Sequence, residues 1–426
     1  MRMQTSKRVN STRLFNRILE LGQVGRSQEG GVTRRALTIE DKKGHQLVTK
    51  WMEESGMKVR YDNFGNLIGR KEGIDSNLAP VIIGSHIDSV KNGGRFDGVI
   101  GVLGGIEIAQ ILQEEKIAHK RPLEIIAFCE EEGSRFNDGL FGSRGIIGKI
   151  TQEDLKKMDE NNITRYEALS NFSSEINPQK LEQSVLTPNQ VYVYFEMHIE
   201  QGPFLEEENC AVGVVSHVAG PHWMNFTLTG EAGHAGTVPM NLRKDPIPAA
   251  AEIILYIESI CNDPIMKETV GTVGIVDVKP GGSNIIPSKV SFSLDLRDID
   301  LNRRENVYEK IRKKVEGICR KRKLEWQVDE GMRVPPVSCS PALTKQLLNS
   351  MENLGLSPKT MISGAGHDAM LMAEITDVGM IFVRCKKGIS HQPEEWADKN
   401  DIAQGTNVLF DSVKIFLNKN ENEKGE

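Results

Sequence analysis

The 426-residue sequence lacks the features that mark a membrane, secreted or nucleic-acid-binding protein. Its six cysteines are scattered without a C-x-x-C pair, which fits reduced thiols better than a disulfide framework or a zinc knuckle. No continuous apolar run reaches membrane-spanning length, and the charged N-terminal segment lacks the apolar core of a secretory signal. The net charge of −6 argues against a general nucleic-acid binder. We therefore expect a cytoplasmic protein without membrane or nucleic-acid partners.

The composition that remains is that of a globular protein, with 38% hydrophobic and 26% charged residues. A chain of this length buries large cores and needs no disulfide or structural metal to fold. The length also exceeds that of one ordinary domain and predicts two or three.

Residues 1 to about 210 alternate short apolar runs with helical segments, which predicts a mainly parallel sheet with helices on its faces. Several of the predicted strands end just before histidines or acidic residues. These strands lie at residues 81–83, 123–128, 191–195 and 380–383. Ligands of open α/β sheets bind at the carboxyl ends of the strands, so we expect these polar side chains to meet there.

The pattern changes between residues 213 and 329. Alternating polar and apolar residues predict strands at 224–229 and 289–296, and helical spacing predicts helices at 245–260 and 303–322. With further strands near 272–278 and 324–328, the order β-α-β-β-α-β indicates a ferredoxin-like α+β domain. The predicted class is α/β, with a catalytic domain at 1–212 and 330–426 and an inserted lid domain at 213–329.

Five residues near the predicted strand ends form a candidate ligand set: His86, Asp97, Glu132, His198 and His391. Imidazole and carboxylate groups together suit zinc, manganese, cobalt or nickel, and one carboxylate can bridge two ions. Asp88 follows His86 closely enough to accept its second ring N–H. Two neighbouring ions can polarise a carbonyl and activate water, and Glu131 is the candidate general base.

Each of these residues also has an ordinary structural explanation. A single histidine is more often a core or surface residue than a ligand, and an acidic run such as 130–132 often begins a helix. Asp97 could cap a helix that begins near Gly101. The joint placement of all five at strand ends is what favours a metal site.

Seven segments resemble the two-metal amidohydrolases that are related to aminoacylases and carboxypeptidases. They are GSHIDSVKNGGRFDGVIGVLGGIE (84–107), FCEEEGSRFNDGLFGSRGIIG (128–148), YFEMHIEQGPFLE (194–206), GHAGTVPMNLRKDP (233–246), PGGSNIIPSKVSFSLDLRD (280–298), SGAGHDAMLMA (363–373) and GISHQPEEW (388–396). The resemblance is to the branch of N-carbamoyl-L-amino-acid hydrolases and allantoate amidohydrolases. LGQVGRSQEGGVTR and NLIGRKEG are most similar to the former group. Val238 and Gln392 depart from the common pattern, which bears on substrate preference because neither is a candidate ligand.

The resemblance implies a di-metal catalytic domain that binds two divalent ions. In this arrangement Asp97 bridges the ions, Glu132 and His391 complete one site, and His86 with His198 completes the other. The inserted domain would serve as a lid and dimerisation domain of a homodimer.

The resemblance also implies residues that contact the substrate. His234 would stabilise the developing oxyanion in the site of a partner subunit, and Asn284 with Arg297 would bind the substrate carboxylate. Gln201 and His367 would line the pocket. From the residues alone, the planar fork of Arg297 suits a carboxylate, but it could equally pair with a neighbouring aspartate (295 or 298). Asn284 could be a turn residue.

The activity implied by the resemblance is hydrolysis of N-carbamoyl-L-amino acids to the L-amino acid, carbon dioxide and ammonia. The alternative within the same chemistry is allantoate amidohydrolase of purine degradation, followed by a dipeptidase or aminoacylase. From a different class, the chain could be a binding module that retained the fold without activity. The presence of Glu131 and all five candidate ligands argues against that last alternative.

Overall fold

The structure is a computed structural model that describes residues 9–420. Within this range, no helix combines the length and the apolar character needed to cross a membrane. The sequence-based expectation for the N-terminal segment falls partly on residues 1–8, outside the described residues.

The sheets are built from strands that occur throughout the chain. The strands are β1 (Lys58–Tyr61), β2 (Leu67–Lys71), β3 (Val81–His86), β4 (Leu123–Phe128), β5 (Val193–Ile199), β6 (Val212–Val218), β7 (Gly220–Thr229), β8 (Gly233–His234), β9 (Val270–Thr272), β10 (Val276–Lys279), β11 (Ile285–Ile286), β12 (Lys289–Asp298), β13 (Glu325–Arg333), β14 (Val337–Ser338), β15 (Thr360–Ser363) and β16 (Asp377–Val383).

The α-helices alternate with these strands. They are α1 (Ser11–Leu21), α2 (Ile39–Glu54), α3 (Val99–Glu114), α4 (Phe141–Ile146), α5 (Gln152–Lys156), α6 (Arg165–Phe172), α7 (Phe204–Glu207), α8 (Pro246–Cys261), α9 (Leu301–Arg322), α10 (Pro341–Asn353), α11 (Asp368–Met372) and α12 (Lys399–Phe416).

The chain divides into two compact units. The smaller unit contains His217–Ser338 and Gly364–Gly366, and the larger unit contains the rest. The predicted insertion began at residue 213, but β6 runs through that point and pairs with β16 from Val212 to Val215. The predicted end at residue 329 likewise falls inside β13. Hydrophobic alternation alone does not distinguish a strand that leaves one sheet from a strand that stays in it.

The larger unit is built on one mixed sheet with the strand order β1-β2-β4-β3-β5-β16-β6. The four central strands, β4, β3, β5 and β16, run parallel, and the outer pairings are antiparallel. This confirms the predicted α/β class with a mainly parallel sheet. Strands β3, β4 and β5 are buried along their whole length because helices cover both faces.

Helix α3 packs closely against β3 and β5. Almost all of its side chains are buried, which explains its apolar sequence VIGVLGGIEIAQIL. A Cβ atom on Gly101 would lie 2.3 Å from the carbonyl oxygen of Met197, so only glycine permits this approach. The close packing fixes the start of α3, and with it the residues that precede the helix.

The smaller unit has a separate antiparallel sheet with the order β13-β7-β12-β10, and β9 also pairs with β12. Helices α8 and α9 pack against its buried face. Along β12, the buried apolar residues of this face alternate with mostly half-buried residues of the other face. The strand predicted near 272–278 is divided into β9 and β10, which both pair with β12; with these two counted as one edge strand, the element order is the predicted β-α-β-β-α-β. A two-stranded ladder of β8 and β11 lies outside this sheet.

Candidate active site

Three neighbouring strands deliver the candidate residues to one edge of the larger sheet. His86 is the last residue of β3, Glu131 and Glu132 follow β4, and His198 lies near the end of β5. Because β4, β3 and β5 are parallel neighbours, these ends meet at the same edge. The sheet thus brings together residues that are more than 110 positions apart in the chain.

Asp97 lies at the centre of the candidate ligands. Its Oδ1 is 3.0 Å from His198 Nε2 and 3.4 Å from His86 Nε2. Its Oδ2 is 3.3 Å from His391 Nε2, which is also 3.4 Å from Glu132 Oε2. The five residues form two clusters that share Asp97, and the ligand atoms of each cluster lie within 4.8 Å of one another.

The charges of these residues fit bound cations. Burial and the nearby Asp97 raise the pKa of Glu132 to about 7. A hydrogen bond to Asp97 raises the pKa of His391 to about 9. Burial opposes ionisation of Asp97, yet the surrounding histidines outweigh it and hold its pKa well below the usual range. Carboxylates and imidazoles gathered around the buried Asp97 match the ligand chemistry of two divalent cations.

The outer ring nitrogens of the two buried histidines are held by main-chain carbonyls. His86 Nδ1 is 3.1 Å from the carbonyl oxygen of Asp88, and His198 Nδ1 is 2.9 Å from that of Ile199. A donor role for Nδ1 leaves each Nε2 without a proton, so that its lone pair can serve as a metal ligand.

The structure differs from the predicted role of the Asp88 side chain. Its Oδ1 lies 3.6 Å from His86 Nδ1, farther than its own carbonyl oxygen. The two carboxylate oxygens of Asp88 instead accept the backbone N–H groups of Glu131 and Glu132, both at 3.2 Å. Asp88 therefore orients the acidic segment after β4 through its carboxylate, and it orients His86 through its backbone.

Glu131, the predicted general base, lies beside His86 at the same edge of the sheet. Its Oε2 is 3.6 Å from His86 Nε2 and faces the cluster of His86, Asp97 and His198. Burial, with the nearby carboxylates of Glu132 and Asp368, raises its pKa well above the ordinary value despite the opposing effect of His86. The carboxylate consequently has the increased proton affinity that general-base catalysis near neutral pH requires.

Asp97 does not cap α3, which was the ordinary explanation left open by the sequence. The N-cap of α3 is Gly98, and no side chain bonds to the first turn. Gly98 has φ +65° and donates its N–H to His198 Nε2 at 3.0 Å. A Cβ atom there would lie 2.4 Å from the His86 ring, so this turn requires glycine.

Glu395 and Ser390 are site residues that the sequence analysis missed. Glu395 is buried and accepts the backbone N–H groups of Phe96 at 2.8 Å and Asp97 at 3.1 Å. Ser390 donates its hydroxyl to Asp97 Oδ2 at 2.7 Å. Both residues lie within five positions of His391, but sequence alone does not distinguish a buried glutamate from an exposed one in the pair Glu394–Glu395.

Two of the expected pocket residues lie beside the candidate ligands. Gln201 donates its amide N–H to Asp97 Oδ2 at 2.8 Å and has a left-handed backbone with φ +57°. The buried ring of His367 lies 4.6 Å from that of His198, and its Nε2 is 2.9 Å from Ser363 Oγ.

The other three expected substrate residues belong to the smaller unit. His234 and Asn284 are exposed neighbours, because the N–H that follows His234 donates to the Asn284 carbonyl oxygen at 2.9 Å. Arg297 is half-buried on β12 and forms the ion pair that the sequence left open, with Asp295 at 2.8 Å. It also donates to the carbonyl oxygen of Gly364 at 2.6 Å.

The profile of peptidase family M20/M25/M40 matches residues 82–414, more than three quarters of the chain and all five candidate ligands. The chain belongs to this family. Members of the M20 family depend on bound metal, in agreement with the two clusters around Asp97.

Individual relatives show to which branch of the M20 family the chain belongs. The chain is 54% identical to the N-carbamoyl-L-amino-acid amidohydrolase of Pseudomonas sp. (strain NS671), over 95% of this chain and 98% of the relative. It is 36% identical to allantoate deiminase 1 of Glycine max, over 91% of this chain and 85% of the relative. A crystal structure of an amidase of the hydantoinase/carbamoylase family from Burkholderia multivorans superposes on this chain with a TM-score of 0.89. The two sequences are 34% identical, and the match covers 96% of this chain and 98% of that one. This M20 protein therefore belongs to the predicted branch, whose members are hydrolases of C–N bonds.

Proposed function

We propose that this M20 protein hydrolyses N-carbamoyl-L-amino acids to the L-amino acid, carbon dioxide and ammonia. The observation that carries the proposal is the 54% identity, over nearly the whole chain, to a relative that bears the name of this activity. The shared-carboxylate geometry around Asp97 and the position of Glu131 supply the chemistry that such a hydrolysis needs.

Two divalent cations, with zinc, manganese, cobalt or nickel as candidates, would be held by the two clusters. We assign His86 and His198 to one ion, Glu132 and His391 to the other, and Asp97 to both. Ions in such a site supply Lewis acidity, which polarises a carbonyl group and activates water near neutral pH. Gln201 and Ser390 both donate to Asp97 Oδ2 and would orient this carboxylate.

The side chains of the protein would perform the proton transfers and the binding of the substrate. Glu131 would accept a proton from the attacking water and pass it to the leaving nitrogen. His234 would stabilise the oxyanion, and Asn284 with Arg297 would bind the carboxylate. Of the five Arg297 N–H groups, two bond to Asp295 and one to the carbonyl oxygen of Gly364, so two are left for a substrate carboxylate.

A homodimer formed through the smaller unit is also part of the proposal. Exposed apolar side chains lie along strands β9 and β10 and on α8 of that unit. They are Leu255, Val270, Ile275 and Val276, each more than half exposed. An exposed apolar edge of a sheet favours association with another chain. We place the protein in the cytoplasm because its six cysteines are all unpaired.

Allantoate is the second candidate substrate, because allantoate deiminases are among the relatives with long matches. Like an N-carbamoyl amino acid, it combines a ureido carbonyl with a nearby carboxylate.

The test is release of ammonia from N-carbamoyl-L-methionine, N-carbamoyl-D-methionine and allantoate by the purified protein. We expect rapid turnover of the L-isomer and almost none of the D-isomer. A site that binds both the carboxylate and the scissile carbonyl at fixed positions selects one configuration of the α-carbon between them. Turnover of allantoate alone would move the assignment to the second candidate.

Dependence on metal is tested with the same protein. Dialysis against a chelator should abolish the activity, and manganese, cobalt, nickel or zinc should restore it. Direct metal analysis should find two ions per chain in the active protein. Full activity at a metal content near zero would contradict the proposed chemistry.

A further inference from the structure

The segment after β4 that carries Glu131 forms a closed loop, defined here as the base loop, residues 129–142. Backbone hydrogen bonds join its two ends. Leu140 N–H donates to the Glu131 carbonyl oxygen at 2.9 Å, and Gly142 N–H donates to that of Cys129 at 2.8 Å. With the Glu131 N–H bound to Asp88, both backbone polar groups of the proposed base are fixed.

The base loop contains a strained residue beside Glu131. Glu130 has φ +56°, a left-handed conformation that costs free energy for any residue with a side chain. This turn directs consecutive side chains to different places. Glu131 faces His86, whereas the Glu130 carboxylate is buried against the backbone N–H of Phe136 at 2.9 Å. A strained conformation persists only where surrounding contacts hold it.

Arg165 supplies those contacts from outside the loop. It is the first residue of α6, has no solvent exposure, and donates its Nε–H to Glu130 Oε2 at 3.1 Å. Other guanidinium N–H groups reach the carbonyl oxygen of Asp154 at 2.9 Å and Asp138 Oδ2 at 3.3 Å.

Two aromatic rings of the base loop enclose the same guanidinium. The Arg165 Cζ atom lies 4.8 Å from the ring centre of Phe136 and 4.3 Å from that of Phe141. A planar guanidinium stacks on rings while its edge donates hydrogen bonds, which the compact ammonium of lysine does not do. Arg165 therefore contacts the strained Glu130 at the start of the loop, Phe136 in its middle and Phe141 at its end.

We propose that Arg165 is a positioning residue for catalysis, which holds Glu131 in its reactive orientation through Glu130 and the base loop. The inference rests on the proposed function, in which Glu131 is the general base. The simpler alternative is that Arg165 only stabilises the small core formed by Phe136, Phe141 and α6.

The experiment compares Arg165→Met, which keeps the apolar length of the side chain, with the wild type. We expect kcat, measured at saturating metal, to fall about 10²-fold, as a misplacement of the order of 1 Å can cause, with KM unchanged. Arg144→Met is the matched control. Arg144 pairs with the same Asp138 and Asp154, both at 2.8 Å, and should leave kcat near the wild-type value.

A double substitution separates positioning from general stability. If Arg165 acts through Glu131, Arg165→Met should cause almost no further loss of kcat in a Glu131→Gln background. An equal loss in both backgrounds would overturn the inference, as would unchanged kcat in Arg165→Met.

Thermal unfolding of each variant shows whether it folds. Should Arg165→Met not fold, Arg165→Lys keeps the buried charge without the fork, and a lowered kcat is expected there too. Wild-type kcat in Arg165→Lys would then overturn the inference. Absence of hydrolysis by the wild type would instead contradict the proposed function itself.

Discussion

At the residue scale, three consecutive glutamates occupy three different environments. Glu130 is buried against Arg165, Glu131 faces His86, and Glu132 lies beside His391. The left-handed backbone at Glu130 produces this division, because it turns neighbouring side chains away from one another. One short acidic run thereby contributes a structural ion pair, a candidate base and a candidate ligand.

The distinct environments of Glu131 and Glu132 predict distinct effects of the same substitution. Glu131→Gln keeps the shape of the side chain but cannot accept a proton, so turnover should fall at least ~10²-fold. Its metal content should stay normal, because Glu131 belongs to neither ligand cluster. Glu132→Gln should lose metal. Steady-state rates and metal analysis test both, and the opposite pattern of metal loss would exchange the two roles.

Buried His45 predicts a loss of stability in mild acid. Burial lowers its pKa to about 3, against about 6.5 in an unfolded chain. As the pH falls below 6.5, the unfolded state binds a proton that the folded state does not bind. The free energy of unfolding therefore decreases from pH 6.5 towards pH 3. Denaturant titrations at several pH values should show a smaller decrease in a protein with His45→Gln than in the matched protein that keeps His45.

Asp41 must be allowed for in that measurement. Burial raises its pKa to about 7, so between pH 7 and 3.8 the folded state holds a proton that the unfolded state lacks. This group adds stability as the pH falls, which is the opposite sign to His45. His45 Nε2 lies 3.5 Å from Asp41 Oδ1, so the two groups are not independent. The comparison is therefore made between Asp41→Asn and the double variant Asp41→Asn/His45→Gln, in which residue 41 does not titrate. Parallel stability curves for the two proteins would contradict the role of His45.

The residues that the sequence could identify are those whose chemistry is unusual for their position. Histidines and carboxylates just after apolar strands indicated the candidate ligands, and the structure brings all five of these residues together. Glu395 could not be identified, because its importance lies in burial and in two backbone N–H groups from residues about 300 positions away. Asp88 was predicted as the partner of His86 Nδ1 through its carboxylate, whereas its carbonyl oxygen is the nearer acceptor, which the residue type alone does not reveal.

At the scale of elements, the turn between β3 and α3 sets the geometry of the site. Gly98 starts α3, and its missing side chain leaves room for the His86 ring. Helix α3 in turn is held against the sheet by its close approach at Gly101. The position of Asp97 thus depends on the packing of a whole helix.

We predict that Gly98→Ala abolishes metal binding at the His86 cluster. The new Cβ atom would lie 2.4 Å from the His86 ring and would displace it from Asp97. Gly355→Ala is the matched control, because Gly355 has φ +74° but no atom within 4 Å of its added Cβ. It should lose only about 1 kcal/mol of stability from backbone strain and keep its metal. Isothermal titration with metal measures both, and unchanged affinity in Gly98→Ala would contradict the prediction.

Elements with a regular apolar period were predictable, whereas irregular segments were not. Strand β12 and helix α9 appear as the sequence indicated, since their buried positions repeat at the expected spacing. The region of α4, α5 and α6 gave no such signal because these helices are only five to eight residues long. The importance of this region lies in the contact of Arg165 with two aromatic rings of the base loop. The sequence does not show this contact because it joins separate segments.

At the scale of the whole molecule, the candidate ligands and the expected substrate residues are divided between two units. All five candidate ligands and Glu131 belong to the larger unit, whereas His234, Asn284 and Arg297 belong to the smaller one. Because the two sets of residues lie in different units, a substitution can remove Glu131 from one subunit of a dimer and His234 from the other.

Subunit mixing tests the proposed role of His234 in the site of a partner. Glu131→Gln and His234→Ala proteins should each be inactive, but a hybrid dimer would contain one fully competent site. Random exchange should restore about a quarter of the wild-type activity if the two sites work independently. Exchange is verified with differently tagged subunits. No activity after verified exchange would show that His234 acts within its own chain or only in packing.

The strand order of the larger sheet has a consequence for the order in which a growing chain acquires its structure. Strands β5 and β6 lie on either side of β16, yet both are synthesised more than 150 residues before it. The smaller unit, apart from Gly364–Gly366, is complete in sequence before β16 leaves the ribosome and can fold first. The larger sheet meanwhile keeps an open gap at its centre. His391 and Glu395 follow β16, so the cluster of Asp97, Glu132 and His391 is completed only after β16 has been synthesised.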